Sequence, residues 1–286
     1  MRDVHIDYIK AGVNVITTNS YAITPFHLEE RFFSEGAQLV KTAARLAFEA
    51  VKISKNLDNL NPVRIAGCLP PLFGSYRPDL FNPKRAPIIA YPLLTEQVDY
   101  VDMWLVETQS SIIEAITWYQ LITAFTATQK NRSVKPIWIA FTLDDSALDI
   151  DIDNATEPDQ NINNTKLRSG ESVAQAIEAM LALGIEAVLF NCSQPEVMNS
   201  ALQVAKKIID EVSHPMQLGI YANAFASKQV HKQANAQLRQ IRQDTTPENY
   251  LTWAQLWQTS GATIIGGCCG IGTEHIAKLS QHLADK

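Results

Sequence analysis

The sequence predicts an α/β protein, a parallel (β/α)8 barrel of the TIM type that is one strand short at its N-terminus. Short β-branched apolar runs alternate with longer helical patterns along the whole length, which is the signature of βα units and a parallel sheet. Seven such runs can be counted, one fewer than a closed eight-stranded barrel needs. No linker or shift of composition divides the chain, so residues 1–286 are expected to form a single domain, a size at which α/β barrels remain undivided.

The elements follow in order. The chain opens on a helical pattern, Val4, His5, Tyr8 and Ile9, that no strand precedes. The strand runs are residues 13–18, 63–67, 103–107, 137–141, 187–191, 217–221 and 263–266, each rich in apolar residues and read as the strand of a βα unit. Helix signals stand between them. Ser172 and Gln175 have capping-box spacing, and Thr246-Pro247 places a cap residue before a proline at the first helical position. Gly184 and Gly261 each end a helical pattern shortly before a strand and read as C-terminal stops.

Composition narrows the function classes. With 46% hydrophobic and 19% charged residues the chain can bury a substantial core. No N-terminal stretch has the form of a signal peptide, and no apolar run reaches the roughly eighteen residues of a membrane span, so a soluble, cytoplasmic protein without a membrane partner is expected. A net charge of -6 without a sizeable Lys/Arg cluster argues against nucleic acid as the partner. Four cysteines in a chain this long are too few for a disulfide scaffold and point to metal or chemistry if they have a role.

Chemistry in such barrels sits at the C-terminal ends of the strands. There the sequence places Thr17, Thr18 and Asn19; Gly67 and Cys68; Glu107 and Thr108; Asn191 and Cys192; Asn223; and Gly267, Cys268 and Cys269. All four cysteines therefore fall on one rim. Three thiolates from two separate segments, Cys192 with Cys268 and Cys269, match a zinc site with three protein ligands and one open position, and thiolates select a soft or borderline metal. The flanking glycines let two consecutive side chains face one ion. The alternatives are cysteines as small core residues, or a vicinal disulfide between Cys268 and Cys269, which the reduced state of intracellular thiols disfavours.

Glu107 ends an otherwise apolar run, and a carboxylate there is costly unless paired, which suggests a ligand role. Cys68 reads as a pocket wall or core residue. Asn223 and Thr18 could bond substrate or serve as turn and capping residues. Asp149, Asp151 and Asp153 alternate like a calcium loop, but Asn154 stands where glycine is wanted and Gln160 where a bidentate glutamate belongs, so a solvated acidic loop is expected. The polar stretch 143–170 reads as a mobile segment over the rim.

The Gly266–Gly270 segment GGCCG with Thr273-Glu274-His275-Ile276 after it, Phe190-Asn191-Cys192, Val106-Glu107-Thr108, and the opening stretch from Ala11-Gly12 to Ser20-Tyr21 together resemble the homocysteine S-methyltransferase family, in order and over nearly the whole chain. The resemblance implies a (β/α)8 barrel enzyme that holds zinc through Cys192, Cys268 and Cys269 and transfers a methyl group to the thiol of homocysteine, giving methionine. It implies that Glu107 holds the amino acid's ammonium group, with Thr18 and Asn223 as further candidate substrate-binding residues and no catalytic residue beyond the zinc-activated thiol. The partners are then small molecules, homocysteine and a methyl donor, with S-methylmethionine or S-adenosylmethionine favoured.

Family members open on a strand ending in Asp-Gly-Gly or Asp-Gly-Ala; this chain begins about where the first barrel helix should stand. A seven-stranded sheet leaves edges that template association, and a second copy of the chain, forming a homo-oligomer, is one way to cover them. The missing strand also motivates a reading of another class: a catalytically impaired barrel that binds a small amino acid or a partner without turnover.

Overall fold

Small and β-branched residues set where the elements form and how closely they pack. The structure, a computed structural model, describes residues 1–55, 62–129, 133–146, 148, 165–225 and 241–283. Seven strands occur among these residues, with helices between them in chain order, the (β/α)8 class that the seven apolar runs predict. Two compact units are distinguished, Met1–Ile139 and Ala140–Lys286. No helix among the described residues is long and apolar enough to cross a membrane.

The first unit begins with α1 (Arg2–Lys10), β1 (Val15–Thr17), the short α2 (Pro25–Leu28) and the long α3 (Arg31–Ser54). After them come β2 (Arg64–Leu69), α4 (Ala86–Gln97), β3 (Met103–Gln109) and α5 (Ile112–Thr128). β1 pairs in parallel with β2, Val15 opposite Arg64, and β2 with β3, Ala66 opposite Met103. Parallel strands buried on both faces read as unbroken apolar runs, and β2 and β3 have buried residues at nearly every position. Helix α3 turns Val40, Ala43, Ala44, Ala47 and Ala50 inward, a spacing of three and four that keeps one narrow face against the core. In α1 the buried pair is His5 and Ile9, one turn apart, while Val4 faces solvent.

β4 (Ile137–Phe141) lies across the division in the sequence. The second unit continues with α6 (Val173–Ala182), β5 (Ala187–Asn191), α7 (Pro195–Glu211), β6 (Gln217–Ala222), α8 (Pro247–Thr259), β7 (Ile264–Gly267) and α9 (Thr273–Leu283). β5 pairs in parallel with β6 and β6 with β7. The helix starts behave as their sequences specify. Ser172 Oγ accepts from the Gln175 backbone N–H at 3.2 Å, while Gln175 Oε1 accepts from Ser172 N–H at 3.0 Å; Thr246 Oγ1 accepts from Asn249 N–H at 3.3 Å ahead of Pro247. Gly184 and Gly261 end α6 and α8 at positive φ, +67° and +107°. β2 and β3 run two residues past their predicted ends, and pairing with β3 carries β2 through Leu69 opposite Val106, whereas β1 is shorter than predicted, Val15–Thr17.

The acidic residues Asp149, Asp151 and Asp153, with most of the 143–170 stretch, lie outside the described residues. At its described ends, Leu143 bridges Leu167 antiparallel, and Arg168 Nη2 meets Asp145 Oδ1 at 2.6 Å.

A buried amide ties the ends of β1 and β2 together. Gln97, the last residue of α4, is fully buried. Its Oε1 accepts from Thr18 Oγ1 at 2.6 Å, and its Nε2 donates to the carbonyls of Cys68 at 3.2 Å and Leu93 at 3.0 Å. Thr18 Oγ1 in turn accepts from the Cys68 N–H at 2.9 Å. Removing such an amide strands several buried polar groups at once, so Gln97→Ala is expected to destabilise the protein by about 3 kcal/mol, read from the midpoint of urea unfolding; a change below about 0.5 kcal/mol, the range of ordinary surface substitutions, would contradict the role given to Gln97.

Candidate metal and substrate site

Cys192 follows β5 directly, and its backbone turns through φ +52°, a conformation costly for a side-chain-bearing residue and characteristic of functional sites. Its N–H donates to the Tyr221 carbonyl at 3.3 Å, so the strand β6 sets where the turn occurs. Cys268 follows β7. Its N–H donates to the Ala222 carbonyl at 2.9 Å, and the Cys269 carbonyl accepts from Ala224 N–H at 2.8 Å. The end of β6 thus registers both cysteine-bearing segments.

Two glycines permit the Cys268-Cys269 turn. A Cβ on Gly267 would stand 2.1 Å from Ile271 Cγ2, and Gly270 takes φ +83° against Ala224. From below, the Tyr250 hydroxyl donates to the Gly266 carbonyl at 2.7 Å. Tyr250 is fully buried; burial, then the neighbouring Cys268, pushes its phenol far above the ordinary range, so it stays a donor. Beyond the turn His275 fixes the start of α9: Nδ1 accepts from Gly272 N–H at 3.2 Å, and Nε2 therefore carries the proton and donates to the Thr245 carbonyl at 2.8 Å.

The result brings Cys192, Cys268 and Cys269 together. Their sulfurs all lie within 4.8 Å of one another, and the Cys268 and Cys269 sulfurs are 4.0 Å apart. Three sulfurs on a tetrahedral zinc stand about 3.8 Å apart when each Zn–S bond is about 2.3 Å, so the trio fits one ion with little movement. Cys192 is buried, Cys268 half-buried and Cys269 exposed, which leaves one side of the cluster open. Hydrogen bonds with Cys192 and Cys269, then burial, then the charges of the same two neighbours, push the Cys268 thiol well above its ordinary value. Without added positive charge Cys268 favours its thiol form; a dication reverses that preference.

Asn223, predicted as a substrate contact, sits in the same unit. Its Oδ1 accepts from Gln194 Nε2 and from Phe225 N–H, both at 3.2 Å, so half of its amide braces the loop after Cys192. In the first unit Glu107 is half-buried at the end of β3, followed by Thr108 at φ +61°. The Cys68 thiol bonds Glu107; burial first, then that carboxylate, push the thiol well up. Cys68 is fully buried, the wall or core residue that its position suggests. Thr18 is buried with its hydroxyl engaged by Gln97 and by the Cys68 N–H.

Sequence reading missed Gln97, Tyr250 and Arg242. Gln97 had a signal, a lone amide closing an apolar helix. Arg242 had none, being one basic residue in a polar stretch, yet it is 3% exposed and bonded to Gln194, Glu196 and Asp244.

The family model described as Homocysteine S-methyltransferase matches residues 1–283. Among curated relatives, the homocysteine S-methyltransferase of Escherichia coli (strain K12) is 26% identical over 294 residues, covering 98% of this chain and 83% of the relative. The selenocysteine methyltransferase of Astragalus bisulcatus is 24% identical over 296 residues, covering 94% and 78%. The crystal structure of the homocysteine methyltransferase MmuM from Escherichia coli, oxidized form, shares the fold with a TM-score of 0.72 at 21% identity, covering 98% of this chain and 83% of that one.

The crowding at Gly267 gives a sharp contrast with Gly272, where a Cβ would meet nothing within 4 Å. Gly267→Ala is expected to disrupt the Cys268-Cys269 turn and cut metal affinity at least tenfold, the scale of lost support around a ligand, whereas Gly272→Ala leaves it within about twofold. Zinc competition with a chromogenic chelator reads both; equal affinity in the two variants would show that the turn tolerates a side chain at Gly267.

Proposed function

Because the chain belongs to the homocysteine S-methyltransferase family, we propose that it is an enzyme that transfers a methyl group to the thiol of homocysteine, giving methionine, with zinc held by Cys192, Cys268 and Cys269. The observation that carries this reading is the convergence of three sulfurs within 4.8 Å from two strand ends. Zinc, when bound there, supplies the positive charge that deprotonates a substrate thiol and leaves its sulfur nucleophilic.

The chain's own residues do the rest. The open side of the cluster, beside exposed Cys269, admits the substrate sulfur. Glu107 receives the ammonium group of homocysteine; its carboxylate is half-buried, where a charge-assisted hydrogen bond counts for more than in water. Thr18 holds the ends of β1 and β2 in place through Gln97 and the Cys68 N–H. Asn223, whose Oδ1 is taken by Gln194 and Phe225, presents its NH2 to the substrate.

In the transfer, an electron pair on the homocysteine sulfur attacks the methyl carbon, the bond from that carbon to the donor breaks with its pair remaining on the donor, and the thiol proton is released. A sulfonium donor, S-methylmethionine or S-adenosylmethionine, departs as a neutral thioether, which suits a site whose own ligands are anionic. The reaction belongs to a reducing compartment such as the cytoplasm, where thiols persist.

The test joins metal content to turnover. Protein purified without chelator under reducing conditions is expected to contain about one zinc per chain and to form methionine from homocysteine and one of the sulfonium donors. Cys268→Ala loses both. Glu107→Gln keeps its zinc but raises KM for homocysteine roughly ten- to a hundredfold, the equivalent of one lost charge-assisted bond. Zinc-replete protein that forms no methionine with either donor would overturn the reading.

A further inference from the structure

Among the buried charges of the second unit, Arg242 carries the largest network, and neither the sulfur cluster nor the substrate requires it by contact. Arg242 has 1% of its side chain exposed, as does its partner Glu196. The guanidinium has five N–H donors, and all five are used. Nη1 donates to Gln194 Oε1 at 2.8 Å and to Glu196 Oε2 at 3.0 Å; Nη2 donates to Glu196 Oε1 at 2.6 Å and to Asp244 Oδ2 at 2.5 Å; Nε donates to Asp244 Oδ1 at 2.9 Å. Replacing a buried ion pair with apolar residues often costs no stability, so stability alone does not account for so complete a network.

Its connections lead to both cysteine-bearing segments. Gln194 and Glu196 stand two and four residues after Cys192, and Gln194 N–H donates to Asp145 Oδ2 at 3.1 Å, so the loop that begins at the strained Cys192 is held at several points. Through the backbone, Arg242 N–H donates to the Ala224 carbonyl at 2.8 Å, and Ala224 N–H donates to the Cys269 carbonyl at 2.8 Å. Thr245 Oγ1 donates to the Arg242 carbonyl at 2.9 Å, and the Thr245 carbonyl accepts from His275, which fixes the residues after the cysteine pair.

We infer that Arg242 is the positioning residue of the three-sulfur site: it sets the distance of Cys192 from Cys268 and Cys269 by clamping the loop after β5 to the segment that holds the Cys268-Cys269 turn. This rests on the zinc reading for its purpose but not for its geometry. Lysine cannot substitute, since its point charge lacks the planar fork that reaches Gln194, Glu196 and Asp244 together.

Two variants test the inference, Arg242→Lys, which keeps the charge but loses the fork, and Gln194→Leu, which removes the Gln194 link between Arg242 and the Cys192 loop while leaving the Glu196 pair in place. Both are assayed well below their melting temperatures. In metal-free protein, dibromobimane, which bridges neighbouring thiols, is expected to join Cys192 to Cys268 or Cys269 in the parent and to give mainly the Cys268–Cys269 product in the variants, as mapped by mass spectrometry. In the cobalt(II)-loaded proteins, the thiolate charge-transfer band is expected to fall by about a third as three sulfur ligands become two, with zinc affinity lowered roughly ten- to a hundredfold. A purely structural role would lower the melting temperature while leaving cross-linking pattern, spectrum and affinity of the folded protein unchanged, and that outcome overturns the proposal. Absence of a cobalt band in the parent overturns the zinc reading instead, and the cross-linking result then decides the role of Arg242 by itself.

Discussion

Three sulfurs held within 4.8 Å of one another, with the Cys268 thiol pushed well above its ordinary value by its two neighbours and by burial, are the constraint on which the second unit is built. The backbone sets how close they come. Cys192 does so by leaving β5 at φ +52°, and the cysteine pair does so by turning after a glycine that has no room for a side chain. The strain at Cys192 and the crowding at Gly267 are both the kind of local cost that the surrounding structure sustains where function needs it.

The support is correspondingly heavy. Tyr250 carries the Gly266 carbonyl, His275 bonds on both ring nitrogens, and Arg242 uses every donor it has. None of these groups is in the sulfur cluster, yet each fixes a segment that carries or follows a cysteine. The first unit shows the same principle with neutral groups: Gln97 and Thr18 join the ends of β1 and β2 through bonds that are all buried, and the half-buried Glu107 on β3 stands beside the thiol of Cys68. In both units a polar network ties strand ends together.

How much of this was legible in the sequence follows from the range of each interaction. The inner strands were visible because burial on both faces demands continuous apolar runs, and the residues of β4 and β5 could be read directly. Capping at Ser172 and Thr246 was visible because it is local to three or four residues. The three cysteines stood out because the alternation of strands and helices puts 192, 268 and 269 on one rim. Long-range polar partners left no such trace: nothing near Arg242 announces that its five donors meet residues 194, 196 and 244, and the duty of Thr18 depends on Gln97, 79 positions away. The end of β2 overran its predicted limit for a related reason, since pairing with β3 carries it through Leu69.

X-ray absorption at the zinc edge of the reduced, zinc-loaded protein measures the sulfur ligation most directly. A first shell with about three sulfurs at roughly 2.3 Å from the metal is expected, reduced to two in Cys192→Ala. A shell dominated by nitrogen or oxygen at about 2.0–2.1 Å, or a sulfur count unaffected by loss of Cys192, would contradict that ligation.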